Sequence, residues 1–228
     1  MTGAVAIVLA AGQGRRLGRE EPKAFAAIGG HMLVELAVAS ASACSSVGRI
    51  VVTVPIGFED RIAFDAEKPL VVVPGGESRQ LSVRAALVTV PHEAEAVVCH
   101  DAARPLASSR LFSRVLDALP GADGVVPVLP VPDTVKRVRD GTVVGTERRD
   151  ELALAQTPQA FRTEALVSAH QRALDEGKTF TDDAALLEWD GHTVRVVEGE
   201  PDNFKITTEE DLARAEAVLA ARRSHSRG

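Results

Sequence analysis

Two glycines and four cations stand close together near the N-terminus, in the stretch AAGQGRRLGREEPK from Ala10 to Lys23. Gly12 and Gly14 carry no Cβ, so the backbone there is free to turn tightly and to present N–H groups to an anion. Arg15, Arg16, Arg19 and Lys23 add positive charge within a dozen residues. A loop of this kind suits a phosphate chain. It is neither of the two best-known phosphate loops. Gly18 comes one residue late for G-x-G-x-x-G, and the stretch lacks the Gly-Lys-Ser/Thr ending of an ATP-binding loop. On glycine spacing alone, a strand-to-turn connection with surface arginines serves equally well.

A second group follows the apolar run Ala96-Val97-Val98-Cys99 as His100-Asp101-Ala102-Ala103-Arg104-Pro105. In open α/β sheets chemistry collects at the carboxyl ends of strands. Asp101 is therefore a candidate for metal or substrate contact, and Arg104 for an anion. Taken alone, a helix-capping aspartate and a surface arginine is the plainer reading. A third candidate, Lys205, sits in the extended segment Asp202–Thr207.

The elements around these groups read as alternating strands and helices. Val5–Leu9 is apolar throughout and short, as a strand covered on both faces of a parallel sheet should be. Helical segments are expected at 33–43, 57–66, 77–90, 108–119, 163–176, 182–189 and from 208 to about 221. In the fourth of these, Leu111, Val115 and Leu119 share a face, and in the third Leu81, Ala85 and Val88 do. Strands are expected at 49–54, 70–73, 94–99, 125–129 and 193–197, and strand–helix–strand succession implies right-handed crossovers. From Asp133 to Arg149 the pattern changes to alternating apolar and charged residues around Asp140-Gly141, a hairpin signal. With little core of its own, this hairpin is expected to project as an arm at about 131–151. One domain spanning residues 1–228 is expected, with a frayed tail at 224–228.

Composition excludes several classes. At 228 residues, 45% hydrophobic and 25% charged, the chain has the makeup of an ordinary globular protein. No apolar run reaches the ~20 residues of a membrane helix, and the N-terminus lacks a signal-peptide pattern, so a cytoplasmic protein without a membrane partner is expected. Cys44 and Cys99 are too few for a disulfide framework or a metal knuckle and read as small core residues. A net charge of −6, no tyrosine and 4% aromatics argue against nucleic-acid binding. Any anion site must be local.

Taken together, LAAGQGRRLG…PK (9–23), PGGESRQLSV (74–83), HDAARP (100–105), DTVKR with QTPQ (133–159) and DNFKIT (202–207) resemble the 2-C-methyl-D-erythritol 4-phosphate cytidylyltransferases, in order and over residues 4 to 219. The resemblance implies a Rossmann-like α/β fold of nucleotidyltransferase type, a mostly parallel sheet flanked by helices with a projecting β-hairpin dimerisation arm. It implies that Ala10, Ala11, Gly12 and Gly14 bind the nucleotide, with Arg16 and Lys23 as cations at the CTP phosphates. Gly76, Glu77 and Ser82 match positions on the cytosine and ribose side, although the family often has Asp at the place of Glu77. Asp101, Arg104, Thr157 and Lys205 match residues around methylerythritol phosphate. Thr134 and Arg149 match arm residues that reach a neighbouring subunit's site. A homodimer and Mg²⁺, bound mainly through the CTP phosphates, are implied with them. Ala24 departs from the family pattern, which commonly has glutamine after the lysine.

The implied chemistry suits the residues. A phosphate monoester has a second pKa of about 6, so the attacking oxygen is already anionic and no general base is needed. Stabilising charge during attack on the α-phosphorus falls to cations, with Arg16, Lys23 and Lys205 as the catalytic set. Competing readings are a ribitol 5-phosphate cytidylyltransferase, a sugar-1-phosphate nucleotidylyltransferase and a nucleotide-binding module without catalysis.

Overall fold

The structure is a computed structural model that describes residues 3–12, 21–62 and 66–225. Its spine is β1 (Ala4–Leu9), whose alternate side chains enter different cores. Ala6 and Val8 pack into one apolar cluster and Val5 and Ile7 into another, so both faces of the strand are buried. This double burial is why the stretch is apolar at every position rather than at every second one.

A two-strand ribbon, β2 (Ala27–Ile28) and β3 (His31–Met32), leads into α1 (Leu33–Ser42), and β4 (Val47–Val54) returns parallel to β1. β5 (Leu70–Pro74) extends the sheet beyond β4, and α2 (Arg79–Leu87) carries the chain back to β6 (Ala96–Asp101) on the other side of β1. Then follow α3 (Ser109–Asp117), β7 (Gly124–Pro130), the hairpin β8 (Lys136–Arg139) and β9 (Thr142–Thr146), β10 (Ala153–Ala155), β11 (Gln159–Arg162), α4 (Thr163–Asp175), α5 (Asp183–Trp189), β12 (Val194–Glu198) and α6 (Glu209–His225). β11 lies antiparallel between β6 and β7, β10 continues it along the same edge of β7, and β12 runs parallel to the opposite edge. The main sheet has eight strands, mostly parallel, with Phe112 of α3 in the cluster with α1 and Leu166, Leu186 and Leu187 of α4 and α5 in the other.

Several expectations meet differences. Only a 3-10 turn at Glu59–Arg61 forms where a helix over 57–66 was expected, and residues 63–65 lie outside the described ones. In α2 the buried residues are Ser82, Val83 and Ala86, whereas Leu81 is 41% and Val88 85% exposed. The helix turns Ser82, Val83 and Ala86 to the sheet, with Leu87 packing beside them, and leaves Leu81 outward. Strand β11 has no apolar run to announce it. It forms because the gap between β6 and β7 supplies backbone partners on both of its edges.

The tail also differs, since α6 continues through Ser224 and His225. Its last arginines do more than complement the helix dipole. Arg222 donates to the Leu106 carbonyl at 2.9 Å and Arg223 to that of Gly29 at 3.1 Å, which ties the end of the helix to the body. Asp140 and Gly141 take φ of 48° and 73°, the left-handed pair a two-residue hairpin demands. The hairpin strands pair only with each other among the described residues, and their side chains are exposed. Cys44 and Cys99 are buried free thiols. Among the described residues no helix is long and apolar enough to cross a membrane.

Candidate active site

Leu9 and Asp101 end their strands side by side, and the chain beyond each crosses to its neighbour. Ala10 donates its N–H to the Thr53 carbonyl at 2.8 Å and Ala102 to that of Leu9 at 3.0 Å. These bonds open a cleft of about 760 Å³ at the carboxyl edge of the sheet, with Ala10, Ala11 and Gly12 along one wall, Gly76, Glu77 and Ser82 on a second, and Asp101, Lys23 and Lys205 also lining it. Gly14 and Arg16 lie outside the described residues, as do Arg15 and Arg19.

The glycines of the cleft have different reasons. Among the described residues a Cβ on Gly12 would meet nothing within 4 Å, and Gly12 lines the cleft. At Gly75 a Cβ would lie 2.3 Å from the Ala11 Cβ and 2.9 Å from the Ser82 Oγ, and at Gly76 one would lie 2.4 Å from the Leu81 Cβ. The second wall can approach the first only without side chains. Ser82, buried, ties this turn together by accepting from the Gly76 N–H at 3.1 Å and donating to the Ser78 carbonyl at 2.9 Å. Ser78 caps α2 by accepting from the Leu81 N–H.

On the floor a chain of alternating charges crosses four parts of the sequence. Lys205 Nζ donates to Asp101 Oδ2 at 2.6 Å, and Arg79 Nε donates to Asp101 Oδ1 at 3.1 Å. Arg79 Nη1 continues to Asp183 Oδ2 at 2.7 Å, and Asp183 Oδ1 faces His170 Nε2 at 3.2 Å. Burial by itself pushes the Asp101 carboxyl upward, but Arg79 and Lys205 outweigh it and hold the group well below the usual carboxylate range. Asp183 is likewise pushed up by burial and brought below its ordinary value by Arg79 and His170. Burial opposes the charge on Arg79, but Asp183 and Asp101 outweigh it and raise its pKa. Lys23, on the other side of the cleft, donates to the Ile206 carbonyl beside Lys205.

Two expected acceptor residues sit beneath this floor. The Thr157 hydroxyl accepts from the Asp101 N–H and pairs with His100 Nδ1, both at 3.0 Å, while His100 Nε2 faces the Arg104 carbonyl at 3.2 Å. A carbonyl only accepts, so Nε2 carries the proton and the Thr157 hydroxyl donates to bare Nδ1. Burial lowers the His100 pKa to about 4, in keeping with a neutral ring. Arg104 donates to the Asn203 carbonyl at 2.8 Å and the Ala155 carbonyl at 3.2 Å, and burial lowers its pKa. In this arrangement Thr157 and Arg104 brace the strand end and the 202–207 segment. Thr134 and Arg149 lie on the hairpin side, exposed, with Arg149 Nη1 on the Pro132 carbonyl at 3.0 Å. They do not line the cleft of their own chain.

Sequence reasoning missed Arg79, Asp183 and His170. A signal for Arg79 was present, since a cation in the first turn of a helix opposes the macrodipole and calls for a local carboxylate. Its partner Asp183 is 104 residues away and carried no comparable mark.

A mostly parallel sheet with helices on both faces and a cationic, glycine-walled cleft at the strand ends defines a nucleotidyltransferase-type α/β protein. A family-level comparison matches residues 4–221 to IspD, 2-C-methyl-D-erythritol 4-phosphate cytidylyltransferase. The chain is 45% identical to the enzyme of that name from Rhodococcus jostii, over 94% of each chain. It is 43% identical to a bifunctional IspD/IspF enzyme from a Bradyrhizobium species, spanning 95% of this chain and 56% of that one, or about half the length of the longer relative. A solved 4-diphosphocytidyl-2C-methyl-D-erythritol synthase from Anaerococcus prevotii superposes with a TM-score of 0.84 at 31% identity, covering 96% and 99% of the two chains. The cytidylyltransferase from Thermus thermophilus gives 0.78 at 36%, covering 94% and 98%. The chain belongs to the 2-C-methyl-D-erythritol 4-phosphate cytidylyltransferase family.

Proposed function

We propose that this chain transfers CMP from CTP to 2-C-methyl-D-erythritol 4-phosphate, releasing pyrophosphate and 4-diphosphocytidyl-2-C-methyl-D-erythritol. The observation that carries this reading is the pair of lysines, Lys23 and Lys205, converging on one cleft whose other walls are side-chain-poor backbone. An oxygen of the acceptor phosphate forms the new bond to the α-phosphorus as the bond from that phosphorus to the bridging oxygen of pyrophosphate breaks. Both reactants are anions, so the barrier is largely charge repulsion and its reduction falls to fixed donors.

In this reading Ala10, Ala11, Gly12 and Gly14 admit the triphosphate, with Arg16 and Lys23 upon it, while the wall built by Gly76, Glu77 and Ser82 takes the cytosine and ribose. Lys205 meets the acceptor phosphate, and Asp101 sets its place, with Arg104 and Thr157 supporting from behind. No group of three His, Cys, Asp or Glu suited to a metal occurs among the described residues, and both Asp101 oxygens are already engaged. We assign Mg²⁺ to the nucleotide's own phosphates, where it would neutralise charge when bound, and no step here depends on a protein ligand to it.

A homodimer is part of the same proposal. Val138, Val143 and Val144 on the hairpin, Leu154 on β10 and Val196 on β12 are each more than half exposed, apolar side chains that a second copy could cover. Thr134 and Arg149 would then face the partner's acceptor. Cytoplasmic residence goes with CTP as substrate and with two buried free thiols. The test is pyrophosphate release with each nucleoside triphosphate against methylerythritol phosphate and ribitol 5-phosphate. Release with CTP and the former is expected; no release with CTP and either acceptor overturns the reading, and preference for ribitol 5-phosphate reassigns the acceptor.

A further inference from the structure

Arg79 lines the cleft, and the hydrogen bonds it makes go to two carboxylates of the protein. Its Nε and Nη1 donate to carboxylates from two different elements, Asp101 at the end of β6 and Asp183 at the start of α5, and its Nη2 is buried with no hydrogen-bond partner. Each carboxylate uses its other oxygen for a different group, Lys205 for Asp101 and His170 for Asp183. The guanidinium is thus the central link of a chain that runs from the cleft into the core. A planar fork of fixed donors can bridge two carboxylates at once, which an ammonium on a flexible stem does poorly.

We infer that Arg79 is a positioning residue for the acceptor half of the site, fixing the Asp101 carboxylate between two cations so that Asp101 in turn holds the Lys205 ammonium over the cleft floor. The argument is electrostatic. Lys205 is 39% exposed and reaches the cleft on a long stem, so it needs a fixed anion to stand in one place. A carboxylate at the same spot would by itself repel a phosphate. With Arg79 behind it, the Asp101 charge is matched from within, which leaves the Lys205 charge effective toward the acceptor. Without Arg79, two buried carboxylates lose their shared countercharge, and Asp101, with one oxygen left bare, gains proton affinity and is no longer fixed in the position from which it holds Lys205. For the identity of the acceptor this rests on the cytidylyltransferase reading; the Asp101–Lys205 link does not.

The experiment uses the full chain with Arg79→Gln and Arg79→Lys. The Asp101 carboxyl carbon is followed by NMR against pH without ligand, and steady-state kinetics are measured with CTP and with methylerythritol phosphate. In Arg79→Gln the Asp101 midpoint is expected to rise by about one pH unit or more. The acceptor KM should rise about tenfold or more while that of CTP stays within about twofold. In an Asp101→Asn background, Arg79→Gln should add little further to the acceptor KM, because the two act as one unit.

An unmoved Asp101 midpoint overturns the inference, and so does a loss shared equally by both substrates and additive with Asp101→Asn. Should Arg79→Gln fail to fold, Arg79→Lys keeps the charge without the bridging fork, and wild-type kinetics and titration in it overturn the inference equally. Should the wild type itself transfer no CMP, the functional reading fails while the Asp101 titration still decides the role of Arg79.

Discussion

Replacing Lys205 by alanine tests the electrostatic core of the proposed mechanism. The side chain ends 2.6 Å from Asp101 Oδ2 and lines the cleft, so the variant removes one fixed donor and uncovers one oxygen of an ionised carboxylate. Loss of a single preorganised donor raises a barrier by about 2–4 kcal/mol. Lys205 is 39% exposed, so solvent screening places the cost at the lower end, about 2–3 kcal/mol. At 1.36 kcal/mol per factor of ten, kcat/KM for the acceptor should fall roughly 30- to 150-fold. The assay is continuous pyrophosphate release at saturating CTP with varied methylerythritol phosphate, after circular dichroism has confirmed the fold. The structure adds a second-order test. Because part of the loss comes from the uncovered Asp101 charge, Lys205→Ala with Asp101→Asn should recover part of it relative to Lys205→Ala alone. A single variant within about threefold of wild type, or a double variant that recovers nothing, refutes the reasoning.

Lys23→Ala should lose turnover by more than about tenfold with the fold intact, since the side chain lines the same cleft as Asp101 and Lys205; near-normal kinetics in single-turnover mixing would take it off the catalytic set. Asp101→Asn should weaken the acceptor more than CTP, as titration calorimetry with each ligand would read, and equal losses would contradict an acceptor role. Gly75→Ala forces a Cβ to within 2.3 Å of another Cβ, so it should lower stability by about 1–3 kcal/mol and disturb the nucleotide wall; an unchanged melting temperature would count against the close approach. His100 is buried and its pKa lowered from 6.5 to about 4. The unfolded chain therefore binds this proton first, and its contribution to stability, present above about pH 6.5, declines by about 3 kcal/mol as the pH falls to 4. Denaturant titrations from pH 7 to 4 on His100→Asn should show a flatter profile than wild type, and identical slopes would reject the assignment.

The fold was legible wherever burial left a mark on neighbouring residues. Strands covered on both faces, such as β1 and β4, announce themselves as apolar runs, and Ser108 and Ser78 mark helix starts through their own capping oxygens. β11 was not legible, because Gln159–Arg162 owes its extended form to partners more than thirty residues away in β6 and β7. The same division holds in the site. Lys23, Asp101 and Lys205 could be placed through short local motifs, and the structure brings them to one cleft. Thr157 and Arg104 were legible as neighbours of that cleft, but their commitment to His100, Asn203 and Ala155 depends on where distant segments cross. Leu81 and Val88 show the limit of periodicity, since the face that α2 buries is Ser82, Val83 and Ala86, a set that mixes polar and apolar residues and leaves both Leu81 and Val88 exposed.

The position of Asp101 raises a physical question about the proposed acceptor site, for a carboxylate on the floor of a phosphate site works against binding unless it is matched. The match here is internal and sequential. Arg79 and Lys205 take one oxygen each, and Asp183 with His170 anchors Arg79 from behind. The formal charges of Lys205, Arg79, Asp101 and Asp183 sum to zero, so these four groups alone present no net charge to a distant phosphate. Attraction then depends on which member can move. Lys205 is the one substantially exposed, whereas Asp101, Arg79 and Asp183 are held by β6, α2 and α5. An arriving phosphate can therefore draw the Lys205 ammonium toward itself while Arg79 stays on the other Asp101 oxygen. A site with Lys205 and no Asp101 would bind phosphate with a loosely placed cation, and a site with Asp101 and no Arg79 would repel it. The arginine at the first position of α2 is what makes an acid on the floor compatible with the anionic substrate proposed here.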